Sequence, residues 1–159
     1  MKIFITKNFE ETQKLGGEFV IRILLEQGVS LLKKGACVIA LYGNLGSGKT
    51  AFVQGLAKGL GIKRRIISPT FIIVRSYVLK SQKSILRQAQ DKSQNYSSKF
   101  KSLEPRSFYH IDLYRIQDEK DLESLGIEEI IEDPENIVAI EWAEKIGVLL
   151  PRKRWDAHF

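Results

Sequence analysis

Apolar positions along this chain change period several times, and each change marks an element. Leu15, Phe19, Val20, Ile23, Leu24, Leu31 and Leu32 recur at helical spacing, which predicts a long helix running to about Lys34, where Gly35 stops it. Asn8 with Glu11 three residues on has the form of a capping box at its start, whereas Gly16, Gly17 and Gly28 lower its intrinsic helix propensity. Ahead of it, the alternation from Lys2 to Thr6 predicts a short edge strand. Cys37 to Tyr42 is apolar throughout, the pattern of a central parallel strand covered on both faces. Phe52, Val53, Leu56, Ala57 and Leu60 then form a helical stripe ended by Gly59 and Gly61, and a second strand is predicted over roughly Phe71 to Leu79.

In the last third, Phe108 to Tyr114 reads as a strand with Phe108, His110 and Asp112 on one face and Tyr109, Ile111 and Leu113 on the other. Asp118 to Ile131 is helical, with Leu122, Leu125, Ile127, Ile130 and Ile131 apolar and Gly126 dividing two short helices. Asn136 to Trp142 is an apolar strand that ends in an acid, Glu141.

Between the Cys37–Tyr42 strand and the next helix stands Gly43-Asn44-Leu45-Gly46-Ser47-Gly48-Lys49-Thr50, a G-x-x-x-x-G-K-[ST] phosphate-binding loop in the strand, loop, helix order the motif requires. The glycines let the backbone curl so that successive N–H groups of Asn44, Leu45, Gly46, Ser47 and Gly48 face one concavity. The helix start adds its positive dipole end, and together these suit a polyphosphate. Lys49 then reaches the outer phosphates, and Thr50 offers a hydroxyl to Mg²⁺. A glycine-rich turn of the same spelling arises by accident in roughly one chain of this size in a few hundred, with Gly near 7% of residues; the flanking strand and helix favour nucleotide binding. The predicted fold is α/β of the P-loop NTPase type, with a mostly parallel central sheet and flanking helices.

At 159 residues, 43% apolar and 28% charged, the chain has the length and composition of a single globular domain, 1–159. No apolar run approaches the roughly 20 residues of a membrane-spanning helix, and acids stand where a signal peptide would carry its apolar centre. One cysteine, Cys37, permits no internal disulfide and reads as a small buried hydrophobe rather than a reactive thiol. A cytoplasmic protein is the default expectation. The formal charge of +6 is concentrated between Arg75 and Arg106, where eight basic residues face two acids, Asp91 and Glu104, while the other residues balance. That segment is also rich in Ser, Gln and Asn, a composition poor at burying apolar surface. It reads as an insertion or a mobile flap: either a solvated loop or a contact for RNA phosphates.

Four residues carry candidate chemistry outside the loop. Glu141 at the end of its strand has the form of a Walker B acid, which holds Mg²⁺ directly or through water and orients the attacking water. Asp112 is a carboxylate in an otherwise apolar strand, costly by several kcal/mol unless paired or facing a site, so a catalytic place is weighed against a surface-edge acid. Trp142 is either core packing or a stacking surface for a nucleobase. His110 is a candidate general base, but a lone histidine beside aromatics is more commonly a packed, hydrogen-bonded ring.

Taken in order, GNLGSGKT with F-x-x-G-L-A-K-G-L-G after it, Ser68-Pro69-Thr70-Phe71, Tyr109-His110-Ile111-Asp112-Leu113-Tyr114-Arg115, Leu125-Gly126-Ile127-Glu128-Glu129 and Ile140-Glu141-Trp142-Ala143-Glu144-Lys145 resemble the TsaE family. These are small bacterial ATPases required for making threonylcarbamoyladenosine in tRNA. The resemblance runs from about Thr12 to Pro151, outside the insertion. It implies a cytoplasmic, Mg²⁺-dependent ATPase, weak alone, that binds the TsaB–TsaD pair and supports its repeated turnover without catalysing the threonylcarbamoyl transfer. By position it implies that Lys49 and Thr50 bind phosphate and Mg²⁺ and that Glu141 is the Walker B acid. It also implies that Ser68 to Phe71, with Thr70, forms a switch-like loop near the γ-phosphate, that Asp112 belongs to the active centre, and that Thr12 is an adenine contact. The chain departs from the family in its longer, more basic insertion, in Ala143 where proline is common, and in ending soon after Pro151, where the family continues with one or two strands. Two rival readings are a small-molecule phosphotransferase whose basic flap closes over the phosphates, and a nucleic-acid-binding module with a vestigial loop.

Overall fold

The computed structural model describes residues 2–31, 35–64, 66–69, 71–79, 106–118 and 120–159. Thr70, the far end of the first predicted helix and residues 80–105 of the basic insertion lie outside the described residues.

The elements in chain order are α1 (Phe9–Leu31), β1 (Cys37–Tyr42), α2 (Lys49–Gly59), β2 (Val74–Val78), β3 (Ser107–Asp112), α3 (Lys120–Glu123), α4 (Ile127–Glu132), β4 (Asn136–Glu141), a 3₁₀ segment (Ala143–Leu149) and β5 (Trp155–His158). The strands form one sheet in the order β2-β3-β4-β1-β5. All neighbours are parallel except β2 and β3, which are antiparallel. The fold is thus α/β with a mostly parallel sheet.

The two faces of the sheet carry separate cores. On one, Cys37, Ile39 and Leu41 of β1, Ile137 and Ala139 of β4 and Phe108 of β3 meet Val20 and Ile23 of α1 and Phe52, Val53 and Leu56 of α2. On the other, Val38, Ala40, Ile111, Val138 and Ile140 meet Leu122, Ile127, Ile131 and Ile146. Burial on both faces is why β1 and β4 read as unbroken apolar runs. Burial also pushes the Cys37 thiol up to about 12, in keeping with a hydrophobic rather than a reactive role.

The start of α1 keeps one half of the expected box, the Glu11 amide donating to Asn8 Oδ1 at 2.8 Å, while the Glu11 carboxylate accepts from the Lys7 amide at 2.7 Å, one residue before the cap. Its glycines turn out to be the contact with α2. A Cβ on Gly16 would overlap the Phe52 carbonyl oxygen, and one on Gly55 would overlap that of Gln13. The two backbones therefore touch, and α1 clamps the helix that carries the phosphate loop. Gly126 divides α3 from α4 as expected, at φ 61°.

Three expectations need correction. Residues 2–7 are not a strand: Ile3 and Ile5 are 78% and 86% exposed, so the alternation faces no core, and the place beside β1 is taken by β5. The second strand begins at Val74 rather than Phe71, because the amides of Ile72 and Ile73 turn back onto the Pro69 carbonyl and Ile73 sits at φ 63°. β5 itself is not anticipated in the charged stretch Arg152 to Phe159; Trp155 and Ala157 pack against the α1/α2 core, while Asp156 and His158 face out. The period-two alternation after Pro151 is the signal that could have found it.

The base of the insertion is visible. The Leu79 amide donates to the Arg106 carbonyl at 2.8 Å, and Arg106 pairs with Glu135. Both attachment points lie at the N-terminal end of β3, the sheet edge opposite the one where β1 enters the phosphate loop.

Candidate nucleotide site

The parallel strands β1, β3 and β4 deliver their C-terminal ends to one edge, where the register sets Leu41 opposite Glu141 and Glu141 opposite Asp112. Ligands of open α/β sheets bind outside that edge. The phosphate loop crosses it with Gly43, Gly46 and Gly48 at φ 133°, 80° and 106°, and Gly48 caps an eleven-residue α2 with no side chain in the way. With no acid in its first turn, the helix start presents its dipole and free N–H groups undiminished.

Lys49, 4% exposed, donates its ammonium to the carbonyls of Gly43 at 2.7 Å and Asn44 at 2.8 Å. The Trp142 ring lies over the same ammonium, 4.2 Å from Nζ to the centroid. Trp142 holds this place with φ 60°, directly after β4, and also packs on Tyr114. Its ring therefore sits at the phosphate end of the loop, partly in the core and partly over the lysine.

Thr50, the second residue of α2, donates its hydroxyl to Glu141 Oε2 at 2.9 Å. The other oxygen, Oε1, is 2.8 Å from Nε2 of His110. Glu141 and His110 are 3% and 0% exposed. Beside them Asp112, also buried, accepts from the Ser68 hydroxyl at 2.6 Å and from the Tyr114 amide at 3.0 Å. Its carboxylate thus ties the segment before residue 70 to the loop after β3. The surface-edge alternative for Asp112 is excluded by this burial.

A hydroxyl and a carboxylate converging at a helix N-terminus beside a buried ammonium are a fitting donor set for Mg²⁺ with a polyphosphate: hard oxygens, few of them, the rest left to water and phosphate. Among the described residues no three His, Cys, Asp or Glu side chains form a cage for a metal, and Mg²⁺ does not require one. Ser47 Oγ is buried without a hydrogen-bond partner among the described residues.

Thr12 stands behind the loop. A Cβ on Gly48 would lie 3.7 Å from Thr12 Cγ2 and 3.9 Å from Phe159, and the Thr12 hydroxyl is held by Thr6 at 2.8 Å and by the Asn8 carbonyl. Asn44, Leu45 and Gly46 form the exposed rim. Of the residues singled out from the sequence, Lys49, Thr50, Glu141, Trp142, Asp112 and the loop share this edge, Thr12 adjoins it, and Thr70 lies outside the described residues. The His110–Glu141 contact is one that sequence reasoning misses; its signal is the shared parity of His110 and Asp112 on one strand face.

The family model described as threonylcarbamoyl adenosine biosynthesis protein TsaE matches residues 6–159. The tRNA threonylcarbamoyladenosine biosynthesis protein TsaE of Bacillus subtilis is 35% identical over 117 residues, 74% of this chain and 57% of that protein. Its namesake from Nostoc is 40% identical over 113 residues, 69% and 54% of the two chains. This chain thus spans little more than half the length of these curated relatives. Among solved structures, YdiB of Bacillus subtilis superposes with a TM-score of 0.57 at 25% identity, covering 96% of this chain and 72% of that one.

Proposed function

Because the chain belongs to the TsaE family of threonylcarbamoyl adenosine biosynthesis proteins, we propose that it is a cytoplasmic, Mg²⁺-dependent ATPase that acts with TsaB and TsaD in threonylcarbamoyladenosine modification of tRNA. The observation that carries this reading is the Thr50–Glu141 hydrogen bond at the start of α2, 2.9 Å long, which joins the phosphate loop to a strand-end carboxylate. Among the described residues no helix is long and apolar enough to cross a membrane, in keeping with such a site of action.

The residues divide the work. Loop N–H groups and the α2 dipole bind the phosphates, and Lys49 exchanges the carbonyls of Gly43 and Asn44 for phosphate oxygens. When bound, Mg²⁺ neutralises charge on the terminal phosphates, held by Thr50 and Glu141. Asp112, through Ser68, keeps the 66–69 segment in register with the edge, and Thr12, which adjoins Gly48 beside Phe159, is the adenine contact. Catalysis of this kind is positioning plus charge neutralisation, which leaves a slow basal rate for partners to complete.

The test is phosphate release from ATP by the purified chain alone, then with TsaB and TsaD, then with tRNA added. A slow rate that rises with the protein partners is expected. No stimulation, with turnover only on adding small-molecule acceptors, would replace this reading with a phosphotransferase.

A further inference from the structure

His110 is the most deeply buried polar side chain beside the site, fully enclosed at mid-strand in β3. The parallel register sets it opposite Ala139, so the two share a face, and Glu141 lies on that face two residues further along β4. The small side chain of Ala139 leaves room for the imidazole to lean toward the strand end, where Nε2 comes within 2.8 Å of Glu141 Oε1. An ionised carboxylate only accepts, so Nε2 carries the hydrogen and donates. Nδ1, equally buried, has no hydrogen-bond partner among the described residues. The ring is therefore kept in a costly setting for the sake of one bond.

That bond has a directional consequence. Glu141 has three rotatable side-chain bonds and two oxygens. Thr50 holds Oε2 from the α2 side and His110 holds Oε1 from the β3 side, so the carboxylate plane is fixed from both ends. We propose that His110 is a positioning residue for the metal ligand: it occupies Oε1 so that Oε2, next to the Thr50 hydroxyl, is the oxygen presented to the divalent cation. This rests on the reading of Glu141 as a Mg²⁺ ligand. Groups that orient a ligand in this way change metal affinity by about 10- to 100-fold when removed.

The donor's position separates this role from plain packing. A Gln amide nitrogen reaches roughly where Nε2 stands, whereas an Asn amide reaches only the place of Nδ1, and both variants are polar and smaller than the ring. The full chain and its His110→Gln, His110→Asn and His110→Phe variants would be titrated with Mn²⁺ in the presence of a non-hydrolysable ATP analogue. Bound metal is read from loss of the free-ion resonance signal; nucleotide affinity is read separately in a chelator from a fluorescent ATP analogue.

The expected result is about 10-fold weaker Mn²⁺ binding for His110→Asn and His110→Phe, recovery to near the parent value for His110→Gln, and metal-free nucleotide affinity within about twofold throughout. Parent-like Mn²⁺ binding by His110→Asn and His110→Phe, or equal weakening in all three variants, overturns the positioning role and leaves the ATPase reading standing. Nucleotide binding without any Mn²⁺ binding in the parent chain overturns the metal role of Glu141 and this proposal with it. If His110→Phe does not fold, the contrast between His110→Gln and His110→Asn still separates a placed donor from packing.

Discussion

Replacing Gly55 by alanine tests whether α1 truly fixes the helix that carries the phosphate loop. In an open helix the change is favourable, by about 1 kcal/mol, since alanine is the better helix former. Here the new Cβ would overlap the Gln13 carbonyl oxygen and stand 2.8 Å from its carbon and 2.9 Å from its Cα. Ordinary carbon contacts lie near 3.5–4.0 Å, so the helices must part by about 1 Å. The obstacle is backbone inside α1, which has no rotamer to escape into. Overpacking of this kind costs about 1–3 kcal/mol, occasionally more; the upper end, less the propensity gain, leaves about 2 kcal/mol of destabilisation. At roughly 2–4 °C per kcal/mol for a domain of this size, Tm should fall by about 4–8 °C. The control is Gly147→Ala, whose Cβ meets nothing within 4 Å and which should leave Tm within about 1–2 °C. Calorimetry or circular dichroism on the two variants settles it. An unchanged or higher Tm for Gly55→Ala would mean that the close α1–α2 approach does not constrain the fold.

The other predictions concern the site and its surroundings. Lys49→Ala should abolish nucleotide binding in a fluorescence titration, whereas Glu141→Ala should reduce Mg²⁺-dependent hydrolysis about 100-fold or more while changing nucleotide affinity by less than about tenfold; equal loss of both would undo the assignment of Glu141. Deleting residues 82–101 should leave ATP affinity within about twofold, because Leu79 and Arg106 join at the sheet edge away from the loop; collapse of affinity would make the insertion a lid. Burial pushes the Cys37 thiol up to about 12, so the folded protein holds it protonated while the unfolded chain ionises it from about pH 9. It should resist iodoacetamide at pH 8 and react within minutes in urea, and its contribution to stability should be lost only as pH rises from about 9 toward 12. Fast alkylation of the native protein would show that β1 is not closed on both faces.

Much of the fold is legible in the sequence because local pattern and tertiary role agree. The loop spelling, the apolar β1 and β4, the capping box of α1 and the Gly126 break each follow from residues within a few positions of one another. Where sequence and structure part, the deciding contact is remote. Gly16 and Gly55 are 39 positions apart in the chain and look like defects until the helices are laid together. Residues 2–6 alternate like a strand, but the edge beside β1 is filled by β5, and the alternation is left exposed. β2 starts late because Pro69 collects two amides in a turn that no strand propensity of Phe71 and Ile72 can override.

The chemistry of the edge depends on register in the same way. Phe108, His110 and Asp112 share a face with Ile137, Ala139 and Glu141 because Phe108 pairs with Ile137 and Asp112 with Glu141. Slipping β3 by one residue would send His110 and Asp112 to the opposite face and bring Tyr109 and Ile111 under α2. What holds the register is apolar: Phe108 belongs to the core under α1 and α2, and Ile111 to the core under α3 and α4, each fully buried. Burying those two side chains together is worth about 3–6 kcal/mol, against about 1.5–3 kcal/mol for a single hydrogen bond to a charged group. The carboxylates and the histidine are therefore placed by their hydrophobic neighbours in the strand. Phe108→Ala should accordingly do more than open a cavity. Beyond the roughly 3–5 kcal/mol typical of such a truncation, it should loosen β3 against β4 and lower Mn²⁺ affinity, although Phe108 is not one of the candidate ligand groups. A Phe108→Leu variant, which keeps the apolar anchor, should retain metal binding; if both variants bind Mn²⁺ like the parent chain, the edge is held by its polar contacts and the hydrophobic account of its register is wrong.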